Sequence, residues 1–300
     1  VAMDSTFVRC AAITVTAAVA TMLTGCVTNN EDAATIPKVN VNVSKVNSIA
    51  AVLPTEIRDS GKLVIGVNIP YAPDEFKDSA GNIVGFDVDL MNAVSKVLGV
   101  TPDYVESDFD KIIPAIQADT YDMGMSSFTD SAEREKSVDF TTYFRAGVQW
   151  AQRPSKPVNP NDACGKKVAV QTTTVEDTDD VPDRSARCVA AGKPPIDKVK
   201  FDRQDDATTA LILGKVDAMS ADSPVTAYAI KRSGGRIEAA GPIFDSAPYG
   251  WPVAKGSTLA RALQQALQHL IDDGTYKTIA TAWGVQQGMI VKSEINGATQ

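Results

Sequence analysis

The strongest constraint on the fold is an alternation of short apolar strands with amphipathic helices, found in two separate blocks of the chain. The first block opens at Lys62-Leu63-Val64-Ile65-Gly66-Val67, a continuous run bounded by Gly61 and by Asn68-Ile69-Pro70. A short run of this kind between turn signals reads as a strand buried on both faces. After a turn at Asp78-Ser79-Ala80-Gly81-Asn82, Phe86, Leu90, Met91, Val94, Val97 and Leu98 recur at helical spacing and stop at Gly99. A strand over Asp103 to Val105, a helix from near Asp110 and a strand over Met123 to Phe128 follow. Pro114 falls early in that helix, where its missing N–H costs least. The second block has strands at Lys166 to Val170, Lys198 to Phe201 and Val216 to Ser220, with a helix over Asp205 to Leu213. The chain closes with helices over Thr258 to Asp272 and Tyr276 to Trp283, the first with Leu259, Leu263, Ala266 and Leu270 on one apolar stripe. Such alternation predicts an α/β protein with mainly parallel sheets covered by helices on both faces.

With 300 residues, at roughly 100–200 per domain, two domains are expected. Acidic residues outnumber basic ones 37 to 29, so the basic footprint of a nucleic-acid binder is missing. The single histidine, His269, excludes multi-His metal sites and reads as a surface or packed residue of the C-terminal helix. No metal and no cofactor are expected.

Residues 11 to 23 form an apolar stretch of 13, too short to cross a bilayer core of about 30 Å as a helix. With Arg9 as a positive flank, and translation starting at Met3 or Val1, the stretch reads as the core of a signal peptide. Leu23-Thr24-Gly25-Cys26 resembles the lipobox of bacterial lipoproteins. That resemblance implies a signal peptide over 1–25, acylation of Cys26, a lipidated tether over 26–60 with a short helix between Ile49 and Ile57, and attachment to the extracytoplasmic face of the cell membrane. Of four cysteines, Cys10 leaves with the signal and Cys26 carries lipid, so Cys164 and Cys188 are the one pair left. Export into an oxidising compartment predicts a disulfide between them, stabilising by about 3 kcal/mol in the chain-entropy picture.

In open α/β sheets, ligands bind beyond the carboxyl ends of the strands. Polar residues in those places are Asn68, then Ser126, Ser127 and Thr129, then Gln171, Thr172, Thr173 and Thr174, then Asp222 and Ser223, with aromatic Tyr71 and Phe109 nearby. Hydroxyls, amides and one carboxylate suit a small zwitterion, which also needs a fixed cation for its carboxylate. Arg134, in the mixed run Glu133-Arg134-Glu135-Lys136, can supply it, although such a run more often marks a solvated helix face.

Several segments together resemble the polar-amino-acid-binding solute receptors of ABC importers: Leu63 to Tyr71, Gly85-Phe86-Asp87-Val88-Asp89-Leu90, Asp122 to Thr129 with Glu133-Arg134, Val138-Asp139-Phe140, Val168 to Thr174, Gly214 to Ala218 followed by Asp222, and Asp273-Gly274-Thr275-Tyr276. The resemblance covers about residues 60 to 290. It implies a two-lobed periplasmic-binding-protein-like fold of type II with two hinge crossings, placed near Phe144 to Val148 and Gly241 to Tyr249. Lobe one is then 60–146 plus 247–292, lobe two 147–246, and 293–300 a C-terminal tail. Carried over by position, Arg134 clamps the ligand carboxylate with amides near Thr129 and Thr174. Asp222 accepts from the ammonium with Ser127 and Thr129, and Tyr71 and Phe109 sandwich the ligand, with Ser126, Thr173 and Asn68 also in the site.

Departures from the family pattern fall at Asp74, where an aromatic is frequent, and at Thr172, where glycine is frequent. Asn68 stands where receptors for basic amino acids carry an aspartate, which favours a polar uncharged ligand such as glutamine or asparagine. Asp74 restores the case for a basic ligand only if it points inward; in its turn-rich setting it reads more readily as a solvated loop carboxylate. The resemblance implies a monomer that delivers its amino acid to an ABC permease. A sensor subunit of a signalling system shares the same outline, as do a few extracytoplasmic dehydratases and lytic transglycosylases. Those enzymes need a cleft acid or base. Asp74, Glu75 and Glu176 are the only further carboxylates near the expected cleft and no His or Cys joins them, so no catalysis is expected.

Overall fold

A computed structural model describes residues 36–298; Cys10, the apolar stretch 11–23 and the Leu23–Cys26 motif lie outside the described residues. From Ile36 the chain does not hang free as a tether. Val39, Val41, Val43 and Val46 are half-buried against the main core, while Asn40, Asn42 and Ser44 between them are exposed. Helices α1 (Asn47–Ala50) and α2 (Thr55–Ser60) replace the one helix expected between Ile49 and Ile57, because Pro54 interrupts it and starts the second.

Strand β1 (Lys62–Val67) leads to a small hairpin, β2 (Phe76–Lys77) and β3 (Ile83–Val84). Its turn is held by the Asp78 carboxylate, which accepts from the Ala80 and Asn82 amides at 2.9 and 2.8 Å. Helix α3 (Phe86–Leu98) ends where Gly99 takes a left-handed conformation, as its pattern predicts. Next come β4 (Thr101–Glu106), α4 (Phe109–Gln117) and β5 (Met123–Gly124). The strand expected to reach Phe128 stops early: Met125 donates its amide to the Gly66 carbonyl at 2.9 Å, and Ser127 adopts φ 49°. Residues 126–129 thereby leave the sheet as a loop.

The middle of the chain holds β6 (Val138–Gln152), β7 (Lys167–Gln171), α5 (Val181–Ala190), β8 (Asp197–Phe201), α6 (Gln204–Ile212), β9 (Ala218–Asp222), α7 (Ser223–Arg232) and β10 (Glu238–Ala254). Strand β9 sits two residues beyond the expected Val216–Ser220, which makes Asp222 its last residue. Helix α5 is mostly polar and buries only Val181, Arg184 and Cys188, too sparse a stripe to read from sequence. Cys188 is joined to Cys164 by the expected disulfide. Helices α8 (Thr258–Asp272) and α9 (Thr275–Trp283) complete the fold. His269 lies partly exposed on α8, 3.8 Å from the Asp273 carboxylate. Residues 293–298 are no free tail: Thr142 donates its amide to the Glu294 carbonyl at 2.9 Å and Asn296 its amide to Phe140 at 3.0 Å, along the start of β6. Among the described residues no helix is long and apolar enough to cross a membrane.

Eight strands form one sheet in the order β4-β1-β5-β10-β6-β9-β7-β8. The three strands at each end are parallel to one another, and the central pair β6/β10 is antiparallel throughout. These two strands, of 15 and 17 residues, run the length of the molecule and belong to both halves. Chain start and chain end share one core, with Leu63, Ile65, Phe86 and Val94 packed with Leu263, Leu267 and Ile279. Residues 148–240 build a separate pair of cores on the two faces of the other half. There the period of two is visible: Val148, Trp150, Val168 and Val170 face one way, Ala151 and Ala169 the other. Only β6 and β10 join the halves in the sheet, and their register slips between Ala240 and Phe244, Phe244 and Ala247, and Tyr249 and Gly250. At that irregular stretch Gly147 permits the close approach, since a Cβ there would lie 2.6 Å from the Phe244 carbonyl oxygen.

Candidate functional site

Both halves aim the carboxyl ends of their parallel strands at the same space, so loops separated by 50 to 150 residues meet there. The resulting crevice holds about 240 Å³ of space between atoms, open solvent at its mouth included, and the side chains that line it nearly fill its interior. The half built by chain start and end contributes Tyr71 from the loop after β1, Phe109 from the first turn of α4, Ser126, Ser127 and Thr129 from the loop after β5, and Arg134 from a 3-10 turn over Arg134–Lys136. The other half contributes Gln171 from the end of β7, Thr174, Val175 and Glu176 from the turn that follows, and Asp222 from the end of β9.

Arg134 is held by two carbonyls, one in each half. Its Nη1 donates to Thr129 at 2.8 Å and its Nη2 to Thr173 at 3.0 Å. Its guanidinium lies 5.7 and 5.6 Å from the centroids of Phe109 and Phe128, two rings stacked 4.3 Å apart, so the cation rests against an aromatic step. Glu133 and Lys136 of the same charge run are exposed and pair with each other, Glu135 accepts from the Ala298 amide, and Arg134 turns into the cavity. Asp222 caps α7 in backbone conformation yet makes no side-chain cap bond, unlike the usual acidic N-cap. Its carboxylate accepts instead from Tyr71 Oη of the other half at 2.9 Å. Burial pushes Asp222 up to about 6, with the Tyr71 hydroxyl and Arg134 holding it back. Burial and then the Asp222 charge push Glu176 well above the ordinary carboxylate range. Arg134 is drawn down by burial and supported by the charges of Glu176 and Asp222.

Of the ten residues expected in the site, Arg134, Asp222, Thr129, Ser127, Ser126, Thr174, Tyr71 and Phe109 line this cavity. The other two stand one layer behind it. Thr173 presents only its carbonyl to Arg134 while its side chain is exposed, and it carries φ 64°. The conformation that suits glycine therefore falls on Thr173 rather than Thr172, at a cost of roughly 1–2 kcal/mol for a residue with a Cβ. Asn68 is buried and engaged at both ends of its amide: its Nδ2 donates to the Ser107 carbonyl at 2.9 Å, and its Oδ1 accepts from Gln171 Nε2 at 2.7 Å. Asn68 does not line the cavity and its oxygen is turned to Gln171, so it carries no weight for the choice of ligand side chain. Gln171, Val175 and Glu176 are the additions: Gln171 stood among the strand-end polar residues and Glu176 among the nearby carboxylates without being assigned to the site, and Val175 gave no signal.

Asp74 is neither a solvated loop acid nor a cavity residue. It is 1% exposed, and its Oδ2 accepts from Ser127 Oγ at 2.7 Å. Glu75 accepts from Ser126 Oγ, and Asp87 from Tyr143 Oη at 2.6 Å, forming a buried group of three acids behind the two serines. Burial and the Asp87 charge raise Asp74 and Glu75 well above the ordinary range, and burial pushes Asp87 up to about 7.

Two lobes joined by a pair of long crossing strands, with a cation and an acid from different lobes in the closed space between them, define a solute-binding protein of the periplasmic-binding-protein type. The chain belongs to family 3 of the bacterial extracellular solute-binding proteins, which it matches over residues 63–286. It is 45% identical over 276 residues to the arginine-binding protein ArgT of Corynebacterium glutamicum, covering 91% of each chain. Among solved structures, an ancestral arginine-binding protein bound to arginine matches with a TM-score of 0.69 at 34% identity, over 75% of this chain and 98% of that one. The ancestral amino-acid-binding protein AncCDT-1, a precursor of cyclohexadienyl dehydratase, matches with a TM-score of 0.66 at 32% identity, over 76% and 97%.

Proposed function

We propose that this chain is a lipid-anchored extracytoplasmic receptor that captures arginine between its lobes and delivers it to an ABC permease, without chemistry on the ligand. The observation that carries the reading is the placement of Arg134 and Asp222 from different lobes in one buried cavity. A guanidinium fork matches a carboxylate and never loses its charge, so Arg134 takes the ligand α-carboxylate with the Thr174 turn. Asp222 takes the α-ammonium, and Tyr71 and Phe109 flank the aliphatic body. An amino acid reaches both charges only when the lobes, 60–146 plus 247–292 and 147–246, are shut, so it favours the closed form through differential affinity. Export and acylation at Cys26 place the receptor on the membrane face, where it works as a monomer. Arginine is supported by the names of the relatives, ArgT among them, and it replaces the glutamine or asparagine favoured on the strength of Asn68.

A thermal-shift panel of the twenty amino acids tests this. Arginine at about 100 times its dissociation constant should stabilise by about 2.7 kcal/mol, or roughly 5–10 °C for a chain of this size. A panel in which no amino acid shifts the midpoint overturns the reading.

A further inference from the structure

We infer that Glu176 receives a cationic side chain of the ligand and gives up its proton only when that cation is present. The inference rests on the cavity being an amino-acid site. One guanidinium, Arg134, faces two carboxylates, Asp222 and Glu176, among the residues that line the cavity. The α-groups of any amino acid cancel each other, so beside a neutral zwitterion Glu176 stays protonated or carries an unpaired charge, whereas a side-chain cation lets it ionise against a counter-charge. Unbalanced buried charge is among the most costly arrangements in a protein interior.

Two unfilled acceptors fit the same head group. Glu176 Oε1 and Gln171 Oε1 are buried and accept no hydrogen bond. Gln171 cannot turn its amide round to relieve this, because its Nε2 donates to Asn68 Oδ1 at 2.7 Å and to the Asp202 carbonyl at 3.0 Å. A donor-rich cation can donate to both oxygens, while Asn68, which does not line the cavity, takes no part. The groups that face Glu176 are Asp222 from the end of β9, the Tyr71 hydroxyl from the loop after β1, Arg134, and Asp180 in its own turn. Burial and the nearby Asp222 favour the protonated form of Glu176 while the site is empty. A bound cation reverses that balance and its proton leaves to solvent.

The test compares arginine with citrulline, its neutral ureido isostere, by calorimetry on the full chain in two buffers of different ionisation enthalpy. Wild-type protein should prefer arginine by about 10- to 100-fold, the worth of a hydrogen bond to a charged group, and Glu176→Gln should bring the ratio close to one. Arginine binding should also release more protons than citrulline binding, a readout that needs no variant. A ratio unchanged in Glu176→Gln, or equal proton counts for the two ligands, overturns the inference and leaves the amino-acid site standing. Failure of both ligands to bind wild-type protein would instead remove the site itself.

Discussion

Two groups of buried acids lie on either side of Ser126 and Ser127, and they are handled in opposite ways. In the cavity, Asp222 and Glu176 face a fixed cation, and Glu176 keeps an oxygen with no partner. Behind the serines, Asp74, Glu75 and Asp87 take hydroxyl donors from Ser127, Ser126 and Tyr143, Glu75 and Asp87 each keep one oxygen with no partner, and among the described residues no cation pairs with them. Both are costly to ionise, but only the first borders space that a ligand can fill. Buried acid that faces a cation across a cavity marks recognition; buried acid with neither a cation nor a cavity beside it, kept neutral by protons, marks architecture.

The sharpest break in that contrast is Arg134→Ala. Truncating one partner of a buried charged contact costs about 2–5 kcal/mol, and here it also strips the counter-charge from Asp222 and Glu176. Arginine affinity should fall by about 1,000-fold in calorimetry while the disulfide-linked lobe keeps its circular dichroism. Acid should weaken binding next. Asp222, raised to about 6 in the empty site, must be ionised to hold an ammonium, so protons compete with ligand below that value. Affinity should drop by about tenfold per pH unit below 6 for a single competing proton, and Asp222→Asn should abolish the slope while weakening binding at pH 7.

The rear group should respond in stability rather than affinity. Asp87 titrates at about 7 in the folded chain against an ordinary 3.8, so the native state holds a proton that the unfolded chain releases. The stabilisation is complete below the unfolded value and is lost as pH rises through 7, with a slope of up to about 1.4 kcal/mol per unit for one proton. Urea unfolding between pH 5 and 7 should show stability falling with pH. Asp87→Asn should flatten that fall and leave the preference for arginine over citrulline untouched; an altered preference would erase the distinction between the two groups.

How far the sequence disclosed this contrast depends on the distance over which each residue finds its partners. The cavity was legible because strand ends are local signals, and parallel strands bring their ends together by rule. Arg134 was not legible from its own neighbourhood: Glu133-Arg134-Glu135-Lys136 has the pattern of a solvated face, and the resemblance alone turned it inward. Asp74 read as a loop acid because its partner, Ser127, lies 53 residues away. Asn68 suggested a ligand preference that vanished once Gln171, 103 residues on, filled its oxygen. The long strands β6 and β10 were read only as crossings, since each serves two cores and changes register where it passes between them.

The smallest effect separates support of the cation from selection by the acid. The terminal residues grip the turn that carries Arg134 on both sides: Gly297 donates its amide to Asp130 Oδ2 at 2.7 Å, and Ala298 donates to Glu135 Oε1 at 3.0 Å. Asn296 secures the same strap, accepting from the Phe140 amide at 2.9 Å and donating to Asp139 at 2.9 Å. A chain ending at Ile295 loses these bonds while every residue that lines the cavity remains. Each bond contributes about 0.5–1.5 kcal/mol to the order of the turn, and only a share of that reaches the guanidinium, so affinity should weaken by about three- to tenfold. Arginine and citrulline carry the same α-carboxylate, so both should weaken equally and their ratio should hold. A truncation that changed the ratio would place the strap's influence at the Glu176 end of the cavity instead of at Arg134.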